Sequence, residues 1–195
     1  NDVWLSTDNG ATWTQQTMSA PWPARSDHSS VVMPDGSIVL MGGQVSGFPE
    51  VNDVWRSTNK GVNWAPMKPN DGFGWPARSD HTSVAMPDGS IILMGGWSSL
   101  TSEYRNDVWR STDNGATWAQ LSDATWTERT VSSSVVLPDG SIVTMGGDGL
   151  SPDFSNDVWR LTTASSSVKN PSHTYTVPGI YNVALQAYNA GGYNS

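Results

Sequence analysis

Short apolar runs broken by turn residues recur along this chain, and none is long enough for a helix of several turns. His28–Met33 becomes strongly apolar at its end and predicts a first strand. Pro34-Asp35-Gly36 predicts a turn, because Pro pre-sets φ and Gly accepts positive φ. Ser37–Met41 is a nearly continuous apolar run, the pattern of a strand buried on both faces. Gly42-Gly43 ends it. A loop of variable sequence leads to a third strand at Val51–Ser57, Asn59–Gly61 makes a tight turn, and a fourth strand runs near Asn63–Met67. The unit is thus four short antiparallel strands.

The unit repeats. Asn-Asp-Val-Trp stands at Asn1–Trp4, Asn52–Trp55, Asn106–Trp109 and Asn156–Trp159, at intervals of 51, 54 and 50 residues. Pro-Asp-Gly-Ser-Ile opens at Pro34, Pro87 and Pro138, and Met-Gly-Gly follows at Met41, Met94 and Met145. Ser-Thr-Asp-Asn-Gly-Ala-Thr-Trp occurs at Ser6–Trp13 and Ser111–Trp118, with a variant at Ser57–Trp64. A four-strand unit recurring every ~50 residues predicts an all-β fold of propeller blades. The chain opens inside a blade, at strand three. Two complete units follow at roughly 25–68 and 78–121, and the last, from Arg129 to about Leu161, has strands one to three only. These are about three and a half blades, fewer than the ~4–8 of a typical closed ring. Open sheet margins are adhesive, so the pattern predicts partners: copies of this chain or missing blades of a longer parent.

Two resemblances attach to these motifs. The double Gly after an apolar strand, then Asn-Asp-Val-Trp and a further Trp, resembles a kelch repeat. Ser-Thr-Asp-x-Gly-x-x-Trp is similar to the Asp-box (BNR-like) hairpin of sialidase-like propellers. Together they cover residues 1–163. The rest, 164–195, predicts a short β tail: Tyr181, Val183, Leu185 and Ala187 alternate with polar or small residues after a Pro178-Gly179 turn. It resembles the last two strands of a PKD-like (polycystic-kidney-disease type) domain. Kelch-plus-PKD combinations resemble surface proteins of archaea and bacteria, and the resemblance implies an extracellular or cell-surface setting.

Composition narrows the function. Lys and Arg number 10 against 18 Asp and Glu, for a net charge of −8. Such a chain repels phosphate, which argues against nucleic acid and anionic membranes. No apolar run reaches the ~18 residues of a membrane span. Cysteine is absent, which excludes disulfides, thiolate zinc sites and a thiol nucleophile. It also excludes the Cys-crosslinked Tyr that copper chemistry on kelch-like propellers requires. No Asn-x-Ser/Thr acceptor occurs. The chain opens on Asn1 rather than Met, which reads as a mature or excised piece of something longer.

Each candidate site has a structural reading beside the chemical one. Asp8, Gly10 and Trp13, Asn59, Gly61 and Trp64, and Asp113, Gly115 and Trp118 are expected to be hairpin residues, since Asx-turn bonding accounts for each of them. Arg25, Arg78 and Arg129 recur one per unit. Converging, they would bind a carboxylate, as the arginine triad of sialidases does; otherwise they pack on Trp22, Trp75 and Trp126. Asp2, Asp53, Asp107 and Asp157 lie in separate blades and cannot share one calcium ion. His28, His81 and His173 make no metal cluster, and no cofactor is expected. Trp97 and Tyr104 lie in the variable loops Gln44–Glu50, Trp97–Arg105 and Asp148–Ser155, where recognition is expected on a rigid scaffold. The reading is a non-enzymatic structural, assembly or adhesion module, self-associating or polymerising into filaments through open edges and the tail. The alternatives are a sialidase-like enzyme and a lectin-like glycan binder.

Overall fold

The computed structural model describes residues 1–46, 49–149, 154–161, 187–189 and 192–194. The chain divides into two compact units, Asn1–Thr163 and Ala164–Ser195. Among the described residues every regular element is a strand.

The first unit opens with a hairpin, β1 (Val3–Leu5) and β2 (Thr14–Thr17). Then come β3 (Arg25–Ser26), β4 (Ser29–Val32), β5 (Ile38–Met41), β6 (Gln44–Val45), β7 (Val54–Ser57) and β8 (Ala65–Lys68). Of these, β4-β5-β7-β8 make a four-stranded antiparallel blade, while β3 pairs with β6 beside it. The second blade is β9 (Thr82–Ala85), β10 (Ile91–Met94), β13 (Val108–Ser111) and β14 (Ala119–Gln120), with the pair β11 (Trp97–Ser98) and β12 (Glu103–Tyr104) in its loop. Among the described residues the third has three strands, β16 (Ser133–Val136), β17 (Ile142–Met145) and β19 (Val158–Leu161), flanked by the pair β15 (Arg129–Thr130) and β18 (Asp148–Gly149). The second unit contains the hairpin β20 (Ala187–Asn189) and β21 (Gly192–Asn194). The expected strand at Tyr181–Leu185 lies outside the described residues.

Registers repeat from blade to blade. Leu40 faces Trp55 and Leu93 faces Trp109 across the central pair, and Thr144 faces Trp159 in the third blade. The first strands β4, β9 and β16 lie side by side, so successive blades are stacked about a common inner edge. The core is the set of spaces between blades. Val31, Met33, Val39, Met41 and Val54 of the first blade meet Trp75, Ile91 and Leu93 of the second. Val84, Met86, Ile92, Met94 and Val108 of the second meet Trp126 and Ile142 of the third. Alternation thus gives the central strands β5 and β10 two buried faces, one per neighbour.

Backbone bonds stitch the inner edge. The Asp80 N–H donates to the Asp27 carbonyl and Val131 N–H to the Asp80 carbonyl, both at 2.9 Å. Gly43 and Gly96 donate to the Arg78 and Arg129 carbonyls of the following blade. These glycines have φ of 94° and 101°, and a Cβ there would lie 2.5–2.7 Å from a carbonyl oxygen, so the double-Gly motif is a close-approach requirement.

Candidate functional site

The three repeated arginines do not converge. Each is buried in its own blade and bound bidentately to the aspartate of that blade's Asn-Asp-Val-Trp. Arg25 donates to Asp53 at 2.6 and 2.9 Å, Arg78 to Asp107 at 2.6 and 2.7 Å, and Arg129 to Asp157 at 2.7 and 2.9 Å. The same guanidinium donates to the first carbonyl of the double Gly: Gly42, Gly95 or Gly146. This corrects the carboxylate-clamp expectation. The donors are consumed by an internal carboxylate, the geometry in which Arg outperforms every other cation. Trp22 and Trp75 make edge contacts with Trp64 and Trp118, at 4.4 and 6.0 Å between centroids.

Every residue of Asn-Asp-Val-Trp is thereby accounted for. Its Trp N–H donates to its Asp, from Trp4, Trp55, Trp109 and Trp159. Its Asn reaches the segment that leads into the next blade: Asn1 donates to the Ala20 and Trp22 carbonyls, Asn52 to Phe73 and Trp75, Asn106 to Ala124 and Trp126. Its Val enters the junctions between blades as Val54 and Val108. Burial alone would push the Asp107 carboxyl up, but the hydrogen bonds and charge of Arg78, with the Trp109 N–H, hold it below the usual carboxylate range. Asp157 is likewise lowered, chiefly by Arg129. The constancy of the Arg-to-Asp interval, 28, 29 and 28 residues, was the available signal for this pairing.

The Asp-box residues form three superposable turns. Asp8 accepts from the Thr12 N–H at 2.9 Å and from its hydroxyl, Ser6 Oγ accepts from Gly10 N–H, and Trp13 Nε1 donates to the Gly10 carbonyl. Asp113, Gly115 and Trp118 repeat this set. Asn59, Gly61 and Trp64 keep the backbone and Trp bonds with an amide in place of the carboxylate, without the hydroxyl bond because Asn63 replaces the Thr. The residue before each glycine is left-handed: Asn9, Lys60 and Asn114 at 58–59°.

Trp97 and Tyr104 pair across β11 and β12, edge to face at 4.8 Å. Tyr104 also borders an open groove of about 430 Å³ with Glu103, Asp107, Trp109, Asp123 and Glu128. The loop before β7 leans on the loop between β11 and β12, where the buried Glu50 carboxylate accepts from the Ser99 N–H and hydroxyl. His81 is buried, with Nε2 at 2.7 Å from Ser29 Oγ and Nδ1 without a partner among the described residues. Burial, then the Arg78 charge, push its pKa down to about 3, so it stays neutral. No group of three or more His, Cys, Asp or Glu among the described residues is placed to hold a metal. No described helix is long and apolar enough to cross a membrane.

Four-stranded antiparallel blades, locked by a double Gly and an Arg–Asp–Trp relay, define the protein as a kelch-type propeller segment. A model of the KLHDC2/KLHL20/DRC7 Kelch-repeats domain matches residues 1–183. The chain belongs to this Kelch-repeat family, whose propellers generally serve as protein-interaction modules. Among curated proteins it is similar to the dynein alpha chain of the flagellar outer arm of Chlamydomonas reinhardtii, 26% identical over 109 residues. That match spans 54% of this chain and 2% of the dynein chain.

Proposed function

We propose that this chain is a non-enzymatic assembly or adhesion module of a secreted or surface-attached protein, associating with further blades through its open faces. One observation carries the reading. The valine of Asn-Asp-Val-Trp is 0% exposed as Val54 and 4% as Val108, inside the two junctions between blades, yet 68% exposed as Val158. An apolar position built for a junction stands bare on the third blade, with Val135 and Met145 beside it. The low charge and the PKD-like tail sequence support an extracellular setting, and the internal Arg–Asp pairs argue against a sialidase-like site.

Light scattering across concentration tests the reading. Particles heavier than 21.0 kDa are expected, and a lone 21.0 kDa species throughout would refute it. Turnover of a fluorogenic sialoside, abolished in a folded Arg78→Ala variant, would refute its non-enzymatic part. A lectin-like second reading draws on Tyr104 beside its groove; a glycan panel that leaves Trp fluorescence unchanged disposes of it.

A further inference from the structure

The proposal here rests on the self-association just put forward and specifies its geometry. Every junction between blades is asymmetric. One side presents the row Val31, Met41 and Val54, or its equivalents Val84, Met94 and Val108. Where the facing side carries an Asp-box, that box presents a notch. The valine enters over the glycine of the turn. A Cβ added at Gly61 would lie 2.7 Å from Val3 Cγ1, and one at Gly115 would lie 2.6 Å from Val54 Cγ1. The notch is therefore glycine because a neighbour's methyl group fills the space a side chain would need. Beside it, the box tryptophan is partly covered, as Trp64 and Trp118 are.

Both halves of this joint lie unused at opposite ends of the first unit. The third blade presents Val135, Met145 and Val158, the same three positions, all exposed. Residues 162–195 contain no Trp, Arg or Asp, the residues that mark each repeat. The opening hairpin presents Gly10, where an added Cβ would meet nothing within 4 Å, and Trp13, which is 59% exposed. Trp4, whose counterparts Trp55 and Trp109 are partly buried, is 50% exposed there.

We infer that a second copy of this chain fills each: Val158 of one copy seats on Gly10 between Trp4 and Trp13 of the next, head to tail. The two patches are different surfaces, so the contact is heterologous and a joined pair keeps one free end of each kind. Half a blade suffices as a partner, since the hairpin β1–β2 already packs by its other side, through Val3, on Trp22 and Leu40 of the first blade.

The heterologous joint prescribes its own experiment. In sedimentation velocity from low to several hundred micromolar, the full chain is expected to grow into a concentration-dependent series of oligomers. Val158→Asp removes the knob and Gly10→Asn fills the notch with a residue that tolerates left-handed backbone. Each variant alone is expected to sediment as a monomer, with association weakened roughly tenfold or more. An equimolar mixture of the two is expected to form a dimer and stop, because it retains one knob and one notch. Thermal melts by circular dichroism establish that both variants are folded, and Trp13→Ser is a second notch variant that leaves the backbone conformation alone. Oligomers that persist unchanged in Val158→Asp would overturn this joint while leaving self-association standing. A wild type that stays monomeric at every concentration would overturn both. Two monomeric variants that fail to pair when mixed would overturn the knob-and-notch assignment.

Discussion

Removing Arg78 measures whether the repeated arginines hold the blades or serve a ligand. The guanidinium is 0% exposed and makes two bonds to Asp107, itself 10% exposed, and one to the Gly95 carbonyl. Arg78→Ala leaves a nearly buried carboxylate with only the Trp109 N–H and strips the Gly95 carbonyl of its guanidinium donor. Stripping one partner from a buried ion pair costs about 3–5 kcal/mol, a large part of the ~5–15 kcal/mol that stabilises a whole domain. Arg129 is equally buried, but its Asp157 is 38% exposed and regains water when the arginine goes. Arg129→Ala is accordingly expected to cost less, about 1–3 kcal/mol. Arg25→Ala should fall near Arg78→Ala, since Asp53 is 11% exposed. Arg78→Lys keeps the charge but cannot make the fork, so it recovers only part of the loss. Urea denaturation followed by tryptophan fluorescence reads these differences, with the slope of each transition checked for two-state behaviour. A cost below about 1 kcal/mol for Arg78→Ala, or a larger cost for Arg129→Ala, would refute the structural assignment.

Three further outcomes follow from named contacts. Gly115→Ala is expected to destabilise more than Gly10→Ala by at least about 1 kcal/mol, since both have φ near 90° but only the first drives a Cβ against Val54; equal costs in the same urea assay would contradict the notch. Val131→Asn should stabilise by about 1 kcal/mol and raise Tm by a few degrees, because a β-branched residue sits at φ 46° where the other copies have Asp27 and Asp80; a lowered Tm would count against it. His81, at about 3 in the fold, binds no proton between that value and the ~6.5 of the unfolded chain, so stability is full above ~6.5 and falls toward acid by about 1.4 kcal/mol per pH unit; His81→Gln should lack that slope between pH 5 and 6.5, and an unaltered slope would contradict it.

Much of the fold was legible because each unit repeats its punctuation. The strand order of both full blades and the opening hairpin at strand three appear as expected, with strands one to three shorter than the apolar runs suggested. Val51–Ser57, for example, forms a ladder only from Val54. Asn52 and Asp53 are spent on side-chain bonds that hold loops, so the backbone before Val54 does not join the sheet. The candidate site was harder. For Arg25, Arg78 and Arg129 a converging triad stood beside the structural reading, because spacing along the chain does not reveal which way a buried side chain turns. The pairs β3–β6 and β15–β18 leave no mark in the sequence for a related reason: a two-residue ladder is too short to alternate. The second unit is a case of its own, since a short alternating tail has no second copy in the sequence to check it against.

The third blade shows why the repeat changes chemistry where it does. Ser57 and Ser111 end their strands with a hydroxyl that accepts the glycine N–H of the Asp-box, which turns the chain into a fourth strand. The same register position in β19 is Leu161, which has no acceptor to offer. One substitution thus removes the anchor of the turn, and no Asp, Gly or Trp follows at the box positions. The loss is not general decay of the unit, because Asp157 and Trp159, a few residues earlier, keep the full relay with Arg129. Nor is the face polar. Ser134 and Thr144 bond each other at 2.9 Å toward the second blade, while Val135, Met145 and Val158 stay apolar on the open side. A blade that was merely the end of a domain would gain from polar residues at those three positions. That it keeps the residues of a buried junction, having lost only the Asp-box residues after Leu161, is what a surface shaped to receive another blade requires.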